Sequence, residues 1–164
     1  MAIYQATDLI GKLVRVNRGG PESSEGLVIA VRSDYLVLFV KKEGTVYYNL
    51  EHIKSITIVR HIDRFDRHGH HHNAHCKFKK HSTFLEALRS KKNRTVKINR
   101  GGPESVTGVL VAAHKDYIKL LVEDELVIIF TAHIKSFSSS FRIVNRLAID
   151  HKENKNVKNR KGKS

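Results

Sequence analysis

Asn17-Arg18-Gly19-Gly20-Pro21-Glu22-Ser23 returns letter for letter as Asn99-Arg100-Gly101-Gly102-Pro103-Glu104-Ser105. The offset between the two heptapeptides is 82, and the register holds beyond them. Gly26 answers to Gly108 and Asp34-Tyr35 to Asp116-Tyr117. After a one-residue deletion, His52-Ile53-Lys54-Ser55 answers to His133-Ile134-Lys135-Ser136. A long fixed period decides architecture before any local pattern does. The chain is two copies of one module.

Working outward, each heptapeptide closes one short apolar run and precedes another. Two glycines permit positive φ, and Pro21 fixes its own φ while pushing Gly20 away from the helical region. Strands are expected at 13–17, 26–31, 35–40, 46–50 and 56–59, with a polar hairpin turn at Lys41-Lys42-Glu43-Gly44. The second copy repeats the layout at 95–99, 108–113, 117–122, 126–130 and 135–139. A short helical turn capped by Thr7 or Asp8 precedes the first set, and a better helix at 83–89 precedes the second. A further strand or short helix is expected at 141–149. Period and turn spacing by themselves define a small β-barrel or sandwich. Five strongly bent strands behind a small helix describe an Sm-like or SH3-like barrel. The expected fold is therefore mainly β: two tandem five-stranded barrels at 1–60 and 83–150, a histidine-rich basic linker at 61–82, and a disordered basic tail at 151–164.

Modules of about 60 residues sit near the lower limit for burying an adequate core alone, so the copies are expected to pack on each other or on partners. The net charge is +14. More than half of the excess lies in the linker, with five Lys/Arg against two Asp/Glu, and in the tail, with six against one. Basic charge on connecting segments implies loose attraction to polyanions rather than a built nucleic-acid site. No apolar run approaches the roughly 20 residues of a membrane span, and the first residues lack the layout of a secretory signal. A single cysteine, Cys76, excludes an internal disulfide.

Three groups of residues carry candidate chemistry. The Arg-Gly-Gly-Pro-Glu-Ser loops can present successive backbone N–H groups to an anion, although a glycine turn with no helix behind it reads first as a shaped connection. His52 and His133 recur with Lys54 and Lys135, yet no Ser, Cys or carboxylate recurs at a spacing that makes a nucleophile–base set. No catalytic residue and no cofactor are expected. His68, His70, His71, His72, His75 and Cys76 lie within nine residues, flanked by His61 and His81. Imidazole and thiolate suit zinc, copper or nickel, but a metal centre needs fixed spacing and outer support that this tract lacks. No metal ligand is assigned.

Beyond the repeated loop, Ser33-Asp34-Tyr35 and Tyr47-Tyr48-Asn49-Leu50-Glu51-His52-Ile53-Lys54-Ser55-Ile56 closely resemble the N-terminal region of the spore coat protein B family of endospore-forming bacilli. The likeness covers nearly all of 8–140. It implies a structural component of the outer coat, made in the mother cell and not secreted, with other coat proteins as partners, self-association possible and no membrane contact. Larger members carry more copies of the module and a Ser/Lys/Arg-rich tail that a coat kinase phosphorylates; in this tail Ser164 is the one serine. The rival reading is an Sm-like RNA-binding protein, because Gly26 with Asp34-Tyr35-Leu36-Val37-Leu38 resembles the first Sm motif. The asparagine usual after that aspartate and the Arg-Gly of the second motif are missing. The histidine tract makes a metal-binding protein the third reading.

Overall fold

A computed structural model describes residues 7–59 and 81–139. The first repeat supplies β1 (Leu13–Val16), β2 (Ser24–Val31), β3 (Tyr35–Val40), β4 (Gly44–Asn49) and β5 (Ile56–Ile58). The second supplies helix α1 (Phe84–Arg89), then β6 (Thr95–Ile98), β7 (Val106–Ala113), β8 (Tyr117–Val122), β9 (Glu125–Phe130) and β10 (Ser136–Ser139). Ahead of the first repeat, the described residues hold only a 3-10 turn, Thr7–Leu9.

All ten strands belong to one antiparallel sheet, in the order β5-β1-β2-β3-β4-β10-β6-β7-β8-β9. The expectation of two separate barrels is corrected here: the sheet is continuous and does not close. The reason lies at its middle. In a free-standing repeat, β4 would present a row of unsatisfied N–H and C=O groups. β10 of the second repeat takes that row, pairing Ser136 with Tyr48, Phe137 with Tyr47 and Ser138 with Val46. The same β10 pairs on its other side with β6. Within each repeat the strand order is identical, because β5 lies beside β1 as β10 lies beside β6.

Strand boundaries follow side-chain chemistry. β3 is apolar along its whole length and all but Phe39 is buried, as a strand covered on both faces requires. β2 and β7 each carry a register shift, between Val28 and Ala30 and between Leu110 and Ala112, and such bulges bend a strand. Gly26 and Gly108 permit close approach: a Cβ on either would lie 2.6 or 2.5 Å from the carbonyl oxygen of Phe39 or Leu121.

The core is in two parts. One is made wholly by the first repeat, from Val14, Val16, Leu36, Leu38, Val46 and Tyr48 with their neighbours. The other is shared. Phe84, Leu88, Ile98, Leu120 and Phe137 of the second repeat pack with Tyr35, Val37 and Tyr47 of the first. The second repeat therefore completes its core with side chains from β3 and β4.

Candidate functional site

The repeated heptapeptide is built around its asparagine. Asn17 and Asn99 both adopt φ 52°, the left-handed region that asparagine tolerates better than most residues. Asn17 Oδ1 accepts from the backbone N–H of Lys54 at 2.8 Å and of Ser55 at 3.4 Å. Asn99 Oδ1 accepts from that of Lys135 at 2.8 Å. Their own N–H groups donate to the carbonyls of Ser55 (2.8 Å) and Ser136 (2.9 Å). Ser23 and Ser105 close the loops with hydroxyl bonds back to the Asn17 and Asn99 carbonyls, at 2.8 and 2.9 Å. Gly20 and Gly102 turn the chain at φ 85° and 77°. Lys54 and Lys135 thus recur beside these loops through their main chains.

Glu22 and Glu104 are the same letter of the motif with different partners. The exposed Glu104 pairs with Lys135 of its own repeat. That bond and the ammonium charge hold the Glu104 carboxyl below its ordinary range and raise the lysine. The buried Glu22 instead reaches the other repeat, accepting from the backbone N–H of Arg100 at 2.8 Å and from the hydroxyl of Ser136 at 2.7 Å. An anion is therefore held at the second Arg-Gly-Gly-Pro-Glu-Ser loop, and it is the first loop's own carboxylate.

Arg100 completes the clasp. Its guanidinium donates to Tyr48 Oη at 2.8 Å and forms an ion pair with Glu43. Tyr48 Oη also lies 2.6 Å from Ser24 Oγ and donates to the Glu22 carbonyl at 3.3 Å. Burial pushes the Tyr48 hydroxyl above its ordinary pKa, against the lowering effect of its bonds to Ser24 and Arg100. Beside the clasp, Pro21 packs on Gly101 and Gly102, where an added Cβ would stand 3.3–3.4 Å from the proline. On the other side of the sheet junction, Tyr47 stacks on Phe137 with centroids 4.4 Å apart and planes 6° from parallel, and Phe84 meets Phe137 edge-on at 5.1 Å. The Asp34 carboxylate accepts from the N–H of Phe84 at 3.0 and 3.1 Å, so a first-repeat side chain caps α1.

The motif residues therefore assemble unequally. Glu22, Arg100, Pro21, Gly101 and Gly102 meet at the junction between repeats. Arg18, Gly19, Gly20, Pro103, Glu104 and Ser105 stand away from it. His52 and His133 occupy 3-10 turns at Leu50–His52 and Thr131–His133, and His52 Nε2 is buried without a hydrogen-bond partner among the described residues. Asp34, Tyr47 and Tyr48 entered the sequence reading only as motif letters, with no contact between repeats expected of them, and Phe137 was not singled out; the signal available for the tyrosines was the stretch of aromatic and polar letters at 47–49, which the second repeat does not reproduce. The histidine tract from His61 to His75, with Cys76, and the expected element at 141–149 lie outside the described residues. No group of three or more potential metal ligands occurs among the described residues, and no described helix is long and apolar enough to cross a membrane.

These features define a β-repeat protein whose copies are joined edge to edge by strand pairing, sealed by an aromatic stack and a carboxylate–arginine clasp. Over 138 residues the chain is 32% identical to spore coat protein B of Bacillus subtilis (strain 168), a match taking in 79% of this chain and 33% of that protein. That kinship supports the spore coat protein B family as the one this chain resembles. It spans about a third of the length of that relative. No protein-family model matches the chain, and no solved structure matches it significantly.

Proposed function

We propose that the protein is a structural component of the bacterial endospore coat, made in the mother cell and laid down on the forespore, that assembles through repeated β-modules. In this reading residues 1–60 and 83–150 are Sm-like modules, 61–82 is a histidine-rich connector and 151–164 a basic tail. The partners are other coat proteins and the protein itself; contact with nucleic acid is non-specific, and no catalysis is assigned.

The observation that carries this reading is the β4–β10 joint. Edge pairing is a general way for one chain to recruit another, with backbone bonds supplying affinity and flanking side chains supplying register. Kinship with a protein named for the spore coat supports the setting. Asp34 spends its carboxylate on the N–H of Phe84 at the start of α1, which speaks against the RNA-binding reading.

A fluorescent fusion followed through sporulation tests it. A ring around the forespore, with no signal in growing cells, is the expected result. Diffuse or nucleoid-associated signal in growing cells would overturn the proposal.

A further inference from the structure

The ten-stranded sheet has two ends, β5 and β9, and the repeat makes them counterparts of β10 and β4. Its interior thus holds a built example of the contact its ends are shaped to make. On the reading that these modules assemble by edge pairing, we infer that the chain associates head to tail with a second copy of itself, β9 of one molecule pairing antiparallel with β5 of the next.

The repeat fixes the register. Carrying Ser136↔Tyr48, Phe137↔Tyr47 and Ser138↔Val46 across the repeat gives Ser55 opposite Ile129, Ile56 opposite Ile128 and Thr57 opposite Val127. Exposure shows what each position lacks. Phe137 and Tyr47, inside the joint, are 0% and 5% exposed; their counterparts Ile56 and Ile128 are 36% and 53% exposed. Leu126 and Phe130 on β9 and Ile58 on β5 extend the same apolar edges. Among the described residues neither strand has a partner on its outer side, and an edge carrying such residues is a template for another strand.

The loops are complementary in the same sense. Pro21 covers Gly101 and Gly102, whereas among the described residues nothing lies within 4 Å of a Cβ placed on Gly19 or Gly20, and Pro103 is exposed. Pro103 of one molecule would seat on Gly19 and Gly20 of the next. Glu104 would exchange Lys135 for the backbone N–H of Arg18 and the hydroxyl of Ser55, as Glu22 uses Arg100 and Ser136.

The outer joint is weaker than the inner one. Ile128 on Ile56 replaces an aromatic stack, Val106 and Ile129 replace the hydroxyl pair of Ser24 and Tyr48, and Lys119 stands where the first repeat buries Val37. Association is therefore reversible and concentration-dependent. The contact is heterologous, so repetition yields a ring if the rotation closes and a filament if it does not.

Sedimentation velocity of the full chain tests this in solution, independently of where the protein sits in a cell. Wild type should grow beyond monomer as concentration rises, and Lys119→Val should shift that growth to lower concentration. Ile56→Lys and Ile128→Lys, both at exposed positions, should each be monomeric alone. Mixed, they should form one species of twice the 18.7 kDa chain mass, because each retains the edge the other lacks. In a Cys76→Ser background, Thr57→Cys and Val127→Cys chains should form a mixed disulfide when combined, and neither should cross-link alone. A wild type that stays monomeric throughout, or single variants that still oligomerise, would overturn the inference. A forespore ring in either case would leave the coat role standing.

Discussion

Ser136 donates its hydroxyl to Glu22 across 2.7 Å although 114 positions separate them in the chain. Both are buried, and the second oxygen of the same carboxylate takes the N–H of Arg100. Glu22→Ala would leave two donors without a partner, a loss of about 2–4 kcal/mol. The matching substitution Glu104→Ala removes only an exposed ion pair, and the urea midpoint should stay at the wild-type value. Urea unfolding of the two variants side by side is the check.

Phe137 and Ile56 occupy the same place in the two repeats, yet among the described residues Phe137 is buried with Tyr47 stacked on it while Ile56 is partly exposed. Phe137→Ala should cost about 3–5 kcal/mol, since it opens a cavity under Tyr47 and Phe84. Ile56→Ala should cost about 1 kcal/mol, because the side chain is partly in water already. Thermal unfolding of monomeric samples separates the two.

The loop asparagines are not interchangeable under a single test. Aspartate keeps the acceptor and tolerates the left-handed region. Asn99 Nδ2, however, donates to the carbonyls of Glu104 and His133 at 3.3 Å each, whereas Asn17 Nδ2 has no such bond among the described residues. Asn99→Asp should therefore be the more destabilising by about 1–3 kcal/mol, measured by denaturant unfolding at neutral pH.

Alkaline pH should loosen the fold in a way that Tyr48 reports. Burial holds its proton more firmly than in the unfolded chain, and burial raises Tyr35 likewise, with Arg32 opposing. The folded state then binds more protons, so this stabilisation is complete below about pH 10 and is lost as pH rises through the folded values. Tyr48→Phe should make the decline of stability above about pH 10 shallower, with Tyr35 supplying the remainder. Denaturant midpoints across that range give the slope.

The repeat and its strands were legible because backbone patterning is local. The runs at 35–40 and 117–122 carry enough β-branched and apolar residues to fix their own ends, and β3 and β8 occupy those residues. What neighbours an edge is not local. Tyr47 and Ile128 are equally plausible strand residues, and nothing in either run says that one lies under Phe137 while the other faces water. Glu22 and Glu104 show the same limit within an identical heptapeptide: their duties differ through what stands opposite them. Two separate barrels were the natural expectation for two equal repeats, and the β4–β10 pairing is what merges them.

That pairing also sets an order of folding. β1 to β4 form hairpins from adjacent residues, but β4 cannot be covered until Ser136 and Phe137 have been synthesised. At about 5–20 residues per second on the ribosome, the interval is on the order of ten seconds. Over that time a nascent chain displays Tyr47 and Tyr48 on an open strand. Where many chains are made close together, β10 of a neighbour that is complete but has not yet closed on its own β4 can occupy that strand first, exchanging between chains a contact that otherwise forms within one.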